Sequence, residues 1–268
     1  MTRIVHLTDL HVSHPDSRDQ SLRTDTTGAL KKAVAIVNAM DPAPDLVVAS
    51  GDLTNIGDAL SYGLVKEILA EVKVPLALAL GNHDKRGPFH EVFSGGASDA
   101  PYQHEMVVSG LHVVTLDTLV PGQVAGRLDE SQIAFLESAL AKHPGLPKLV
   151  VAHHPPRLGE RTLPWASLDA ASTERFGNAV EGKGVVAILS GHVHLDAVHH
   201  WRGVPVVTCM GLNSTVDVLE TRDMRIVEGT SIGMCFVREG GFSVAFVPLS
   251  PERRELAVLP EMRLRAFR

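Results

Sequence analysis

The chain has 268 residues, 44% of them apolar and 21% charged, enough for one large domain with a well-buried core. Its 25 Lys and Arg against 31 Asp and Glu leave a formal charge of −6, and the absence of any basic block argues against a nucleic-acid partner. No apolar stretch approaches membrane-spanning length, Met1 to His6 runs straight into an apolar segment without the layout of a signal peptide, and Cys209 and Cys235 sit in apolar runs suited to reduced thiols. A cytoplasmic protein without a membrane partner is expected.

Taken in chain order, Ile4 to Leu7 is short, branched and bounded by polar residues, which predicts a buried strand, and Asp9-Leu10-His11 follows it. Helical spacing runs from Leu22 to Met40. A second strand at Leu46 to Ala49 ends in Gly51-Asp52, a helix is expected over Ala59 to Val72, and a third strand at Leu76 to Leu80 ends in Gly81-Asn82-His83-Asp84. Pro88 to Pro101, with Gly95-Gly96, reads as a loop. Asp129 is an N-cap for a helix over Glu130 to Lys142, whose Ile133, Leu136 and Leu140 share one face. A strand at Leu149 to Ala152 leads to His153-His154, a loop is expected at Arg157 to Pro164, and a helix at Ser172 to Val180 precedes the strand Val185 to Leu189 with Gly191-His192-Val193-His194 at its end. Further strands are expected at Val204 to Cys209, Ser231 to Val237 and Phe242 to Val247, the last two joined by a Gly240-Gly241 turn. The strand and helix alternation to Leu80 predicts parallel pairing, the later run antiparallel pairing, and two packed sheets flanked by helices satisfy both.

Five strand ends thus carry Asp, His and Asn, and in layered α/β proteins ligands gather beyond the carboxyl ends of strands. One Asp-x-His arises by chance; all five clusters together describe one site. Gly51, Gly81 and Gly191 before the ligands suit tight turns and close backbone approach, and alternation in Asp9-x-His11 and His192-x-His194 places both members on one side of an extended chain. Carboxylate and imidazole ligands suit Fe, Mn, Zn or Co.

The order Asp-x-His, Gly-Asp, Gly-Asn-His-Asp, His, Gly-His-x-His over roughly Arg3 to Thr208 resembles the calcineurin-like metallophosphoesterase superfamily, and within it the bacterial class III cyclic nucleotide phosphodiesterases and their glycerophosphodiesterase relatives. The resemblance implies a four-layer αββα sandwich of two mixed β-sheets flanked by helices. It also implies two divalent metals. Asp52 would bridge them, with Asp9, His11 and His194 completing the first and Asn82, His153 and His192 the second. A pair about 3.5 to 4 Å apart can hold a bridging hydroxide as the nucleophile toward a phosphodiester. Asn82 and His83 would meet the substrate, His83 protonating the leaving alkoxide or stabilising the transition state and Asp84 orienting His83.

Gly51-Asp52-Leu53-Thr54-Asn55-Ile56-Gly57 lacks the Arg of the phosphoprotein phosphatase motif Gly-Asp-x-x-Asp-Arg-Gly, so a diester is preferred. Hydrolysis of 3′,5′-cyclic nucleotides such as cAMP is the expected reaction; glycerophosphodiesters or phosphonate monoesters with relaxed specificity are the alternative, and a non-catalytic scaffold is a third reading that the intact ligand set disfavours. Aromatic content is 4%, and no purine-stacking platform is visible in the access loops. His154 lines the site or points away from it; His6, His14, His90, His104, His112, His143, His199 and His200 are structural or surface residues; Arg86, Arg157 and Arg161 are solubilising charges rather than substrate contacts. The catalytic domain is expected over 1–250. The stretch 251–268, with five arginines among apolar residues, is expected to be an oligomerisation or cap segment of a homodimer or larger assembly.

Overall fold

The computed structural model describes residues 1–249 apart from Ala97, Arg161 and residues 220–223. The expected C-terminal segment 251–268 and Arg161 therefore lie outside the described residues. Among the described residues, thirteen strands and five α-helices follow in the order β1 (Thr2–Leu7), α1 (Thr26–Ala39), β2 (Leu46–Ala49), α2 (Ala59–Leu69), β3 (Leu76–Leu78), α3 (Arg86–Ser94), β4 (His104–Val108), β5 (Leu111–Leu116), α4 (Glu130–Ala141), β6 (Lys148–Ala152), α5 (Ala170–Val180), β7 (Val185–Ser190), β8 (Ala197–Trp201), β9 (Val204–Thr208), β10 (Thr215–Val216), β11 (Ile226–Val227), β12 (Ser231–Arg238) and β13 (Gly241–Pro248).

Strands β13-β12-β1-β2-β3 form one sheet and β4-β5-β6-β7-β9-β8 the other, both mixed, with β10-β11 a small hairpin. Alternation along each strand sorts the core into three layers. In β1, Val5 and Leu7 join Leu30 and Val34 of α1 and Tyr62 and Val65 of α2 on the outer face. Ile4 points the other way and meets Leu149, Val151, Ala187 and Leu189 of the second sheet. Beyond that sheet, Val150, Ala152 and Ile188 pack on Leu136 of α4 and Phe176 of α5. The layers are helix, sheet, sheet, helix, as the resemblance implied.

Local chemistry explains the helix ends. Asp25 accepts from Gly28 N, which starts α1 at Thr26 rather than Leu22. Asp129 and Gln132 form a reciprocal capping box at α4. Pairing is parallel for β1-β2-β3 and antiparallel for β12-β13.

Three expectations need correction. Pro88 to Pro101 is not all loop: α3 occupies its first half, because Pro88 falls in the first turn of the helix, where its missing N–H costs nothing, and fully buried Phe89 docks edge-on against Tyr62. Strands β4, β5 and β8 were not anticipated. Strand β9 was expected in an antiparallel region, yet it pairs parallel with β7 and antiparallel only with β8. Cys209 and Cys235 are buried free thiols. No described helix is long and apolar enough to cross a membrane.

Candidate metal centre

The site is assembled where β1, β2, β6 and β7 end, together with the turn after β3. Five ligand candidates adopt left-handed backbone: Asp9 (φ 49°), His11 (φ 45°), Asp52 (φ 49°), His192 (φ 73°) and His194 (φ 50°). The extended alternation expected for Asp9-x-His11 and His192-x-His194 is therefore wrong; each pair is turned inward by two left-handed kinks. Such conformations are costly for residues with a Cβ and cluster at functional sites. Close approach also demands glycine. A Cβ at Gly191 would collide with the Thr8 hydroxyl and lie 2.5 Å from Asp9 Oδ2, and one at Gly81 would strike Asp52.

Two groups of ligand atoms share one carboxylate. Asp52 Oδ1 accepts from the His83 N–H at 2.8 Å, leaving Oδ2 at 3.6 Å from His11 Nε2 and 3.3 Å from His153 Nε2. Asp9 Oδ2 accepts from the Thr8 hydroxyl at 2.8 Å, while Oδ1 stands 3.2 Å from His194 Nε2 and 3.9 Å from His11 Nε2. On the other side, His192 Nδ1 lies 2.8 Å from Asn82 Oδ1. Donor atoms bound at about 2.0 to 2.2 Å to a common ion stand roughly this far apart.

Each imidazole is oriented by a hydrogen bond from its outer nitrogen. His11 Nδ1 donates to Asn55 Oδ1 (2.9 Å), His194 Nδ1 to the Ser214 carbonyl (2.9 Å), His153 Nδ1 to the Ser50 carbonyl (3.0 Å) and His192 Nε2 to the Trp165 carbonyl (2.7 Å). The inner nitrogens are thereby presented to the centre, and His153 Nε2 is buried without a hydrogen-bond partner. That nitrogen and the Asp52 oxygen 3.3 Å away form a donor pair that a cation could share in place of a proton. The donor set fits divalent metal.

Electrostatics agree. Burial would raise the Asp9 pKa, but His194 and His11 hold it well below the carboxylate range, and His153 and His11 do the same for Asp52 against its burial. Burial would lower His153 and His194, but Asp52 lifts the first and Asp9 the second, each to about 9. Burial and the neighbouring His153 take His192 down to about 4.

A profile of calcineurin-like phosphoesterases matches residues 2–196. The chain belongs to the calcineurin-like phosphoesterase family. It is 34% identical over 224 residues to a protein of Rhodopseudomonas palustris named a probable cyclic nucleotide phosphodiesterase, covering 78% of each. It is 27% identical to the cAMP/cGMP dual specificity phosphodiesterase of Mycobacterium tuberculosis, covering 96% of this chain and 79% of that one. A dimetal phosphatase from Danio rerio shares the fold, with a TM-score of 0.65 at 14% identity over 93% of this chain and 99% of that one.

Within this phosphoesterase, Asp84 does not orient His83. Its carboxylate accepts from the backbone N–H groups of Leu53 (3.0 Å), Thr54 (3.1 Å) and Gly81 (2.9 Å) and from the Tyr62 hydroxyl (2.9 Å), so it staples two ligand-bearing turns together. Burial and the Asp52 charge push its pKa up to about 6 against those donors. His83 is instead held by Nδ1 donation to the Asn55 carbonyl at 2.8 Å. His154 is wholly buried beside His153 and His192, with Nδ1 on Thr118 Oγ1 (2.7 Å) and Nε2 donating to the Val124 carbonyl (2.9 Å), so it packs against the site and is itself held by two hydrogen bonds. Arg86 is no solubilising charge: it forks onto fully buried Asp117 at 2.8 and 3.1 Å and donates to the Leu119 carbonyl. Arg157 donates to the Gly159 and Glu160 carbonyls.

Two residues escaped the sequence reading. Asn55 relays His11 to Asp19 and Ser21 through its Nδ2, at 2.5 and 2.9 Å. Its place three residues after Asp52 was the available signal. Trp165, just past the predicted loop, lines the cleft of about 330 Å³ that opens on the ligands.

Proposed function

We propose that this phosphoesterase is a binuclear metal-dependent phosphodiesterase acting on 3′,5′-cyclic nucleotides such as cAMP. The observation that carries the binuclear reading is the single Asp52 oxygen between His11 and His153, flanked by a complete ligand set on either side. Asp9, His11, Asp52 and His194 would hold one ion and Asp52, Asn82, His153 and His192 the other. When bound, two such ions supply Lewis-acid charge for the phosphate oxygens and an activated water for in-line attack.

The chain's own residues do the rest. The carbonyl clamps on the four imidazoles keep their inner lone pairs in place and reduce the reorganisation needed on loading. His83 spends its Nδ1–H on Asn55, so Nε2 is the nitrogen that meets substrate; protonated there, it delivers a proton to the departing ribose oxygen as the P–O bond breaks. The fixed Asn82 amide adds a neutral ligand, which limits repulsion of an anionic substrate. The resemblance to the M. tuberculosis dual specificity enzyme over nearly the whole chain supports the cyclic nucleotide.

A second cavity of about 670 Å³ adjoins Asn82 and His83 on the side of Lys85 and Pro121. Room there for a longer leaving group favours glycerophosphodiesters or phosphonate monoesters as the second reading. The test is kcat/KM of the Mn²⁺-reconstituted protein on cAMP, a glycerophosphodiester and a phosphonate monoester beside a chelated control, with His83→Ala in parallel. Chelator-sensitive preference for cAMP and a slow His83→Ala that keeps its metal are expected. Preference for another diester overturns the cyclic nucleotide, and metal loss in His83→Ala overturns the role given to His83.

A further inference from the structure

The cleft above the ligands has a mixed lining, with Ser21, Asn55, Asn82 and Asn213 among its polar residues. Val124, Trp165, Met224 and Ile226, from three separate segments, also line it, and they remain 51%, 37%, 57% and 61% exposed. Large apolar side chains left open to water and gathered at one cleft mark a surface that a ligand covers. Among them Trp165 is placed with unusual definition. It lies in the 3-10 turn Pro164–Ala166, its carbonyl accepts from His192 Nε2 at 2.7 Å, and its ring centroid lies 6.1 Å from that imidazole. The indole is therefore held beside a residue of the phosphate-binding centre, close enough for a flat group joined to the phosphate through one sugar to reach it.

We infer that Trp165 is the stacking platform for the substrate's nucleobase, with Met224 and Ile226 supplying apolar wall in the same cleft. The inference rests on the cyclic nucleotide reading and extends it to a base-binding subsite. It also revises the expectation that this chain has no such platform. Trp165 then has two separable functions: its backbone orients a metal ligand, and its indole reads the base. Substituting the side chain leaves the carbonyl in place, so base recognition and metal binding can be tested apart. A flat indole is tolerant of base identity but covers a purine better than a pyrimidine, so discrimination should follow ring size.

The experiment compares wild type, Trp165→Ala and Trp165→Phe on cAMP, cCMP and the base-free diester glycerophosphoglycerol, with metal content measured for each. Base-aromatic stacking predicts that the kcat/KM ratio of cAMP to the base-free diester falls roughly tenfold in Trp165→Ala, mainly through KM, with Trp165→Phe recovering most of it. The preference for cAMP over cCMP should shrink in parallel. Quenching of tryptophan fluorescence by 5′-AMP should be lost in Trp165→Ala, since the other tryptophan, Trp201, packs on Phe176 in the outer core. If wild type hydrolyses cAMP but the ratio is unchanged in Trp165→Ala, the platform is refuted and the cyclic nucleotide reading stands. A Trp165→Ala that loses its metal while Trp165→Phe keeps both metal and a wild-type ratio leaves nothing for stacking to explain only if quenching by 5′-AMP is also absent in wild type, and that combination refutes the platform too. If wild type fails on cAMP and cCMP alike, the proposed function itself is overturned.

Discussion

Loading the metal centre should release protons in a way set by two histidines. In the metal-free protein Asp52 raises His153 and Asp9 raises His194, each against burial, to about 9. At pH 7, well below that value, each imidazole is largely protonated and must lose a proton before its inner nitrogen can ligate. Filling both sites therefore releases about two protons from these groups. At pH 9 each is only partly protonated, so their share falls. Metal-associated water gives up its proton more completely at pH 9 than at pH 7, a change opposite in sign to that of the imidazoles, so their share is fixed separately by an NMR titration of the histidines in the stripped protein. Apparent affinity should rise about tenfold per pH unit at each site between pH 7 and 9 and level off above it. The metal-free fold should respond with the opposite slope. A raised histidine stabilises fully below the unfolded value of about 6.5 and ceases to do so as pH rises through about 9, so the stripped protein loses stability over the range in which it gains metal affinity. The assay is calorimetric titration of Mn²⁺ or Zn²⁺ into stripped protein, in buffers of different ionisation enthalpy, at pH 7 and 9. Histidine pKa values near the ordinary 6.5 for His153 and His194 in the NMR titration of the stripped protein would refute the reasoning.

Other perturbations probe the supporting structure. Asn55→Ala removes the acceptor for His11 Nδ1 but keeps the carbonyl that holds His83, so metal affinity should fall roughly 10- to 100-fold while His83 stays in position; unchanged affinity would show that the relay does nothing. Arg86→Met leaves the Asp117 carboxylate buried without its cation, and urea unfolding should register a loss of about 3 to 5 kcal/mol, with less than about 1 kcal/mol counting against a buried pair. Gly191→Ala drives a methyl into Thr8 and Asp9, so metal binding should weaken by at least tenfold in a chain that still folds by circular dichroism; wild-type metal content would mean the turn relaxes freely.

Much of the centre was legible because its parts are local. Each ligand cluster is a short string at the end of a short apolar run, and the five runs became β1, β2, β3, β6 and β7. Where a residue's partner is distant, the reading failed. Asp84 was paired with its neighbour His83, whereas its carboxylate reaches back to Leu53 and Thr54, 31 and 30 residues away, because two turns from adjacent strands need a common acceptor. Arg86 looked like a solubilising charge, since nothing near it announces the buried Asp117. Strand β4 was missed because its residues are half-buried or exposed, which gives an edge strand little apolar signal.

From the sequence alone came the candidate ligands and their order, the layered architecture and the family, all carried by residue types at spacings within a few positions of one another. Tertiary structure decided which oxygen of Asp52 is shared, which nitrogen of each histidine faces inward, and that Trp165 stands in the cleft. These depend on contacts such as His11 with His194, 183 residues apart, and on left-handed turns whose strain only the assembled sheets can hold. A chain can spell out its ligands locally, but orientation is a property of the neighbours that folding brings.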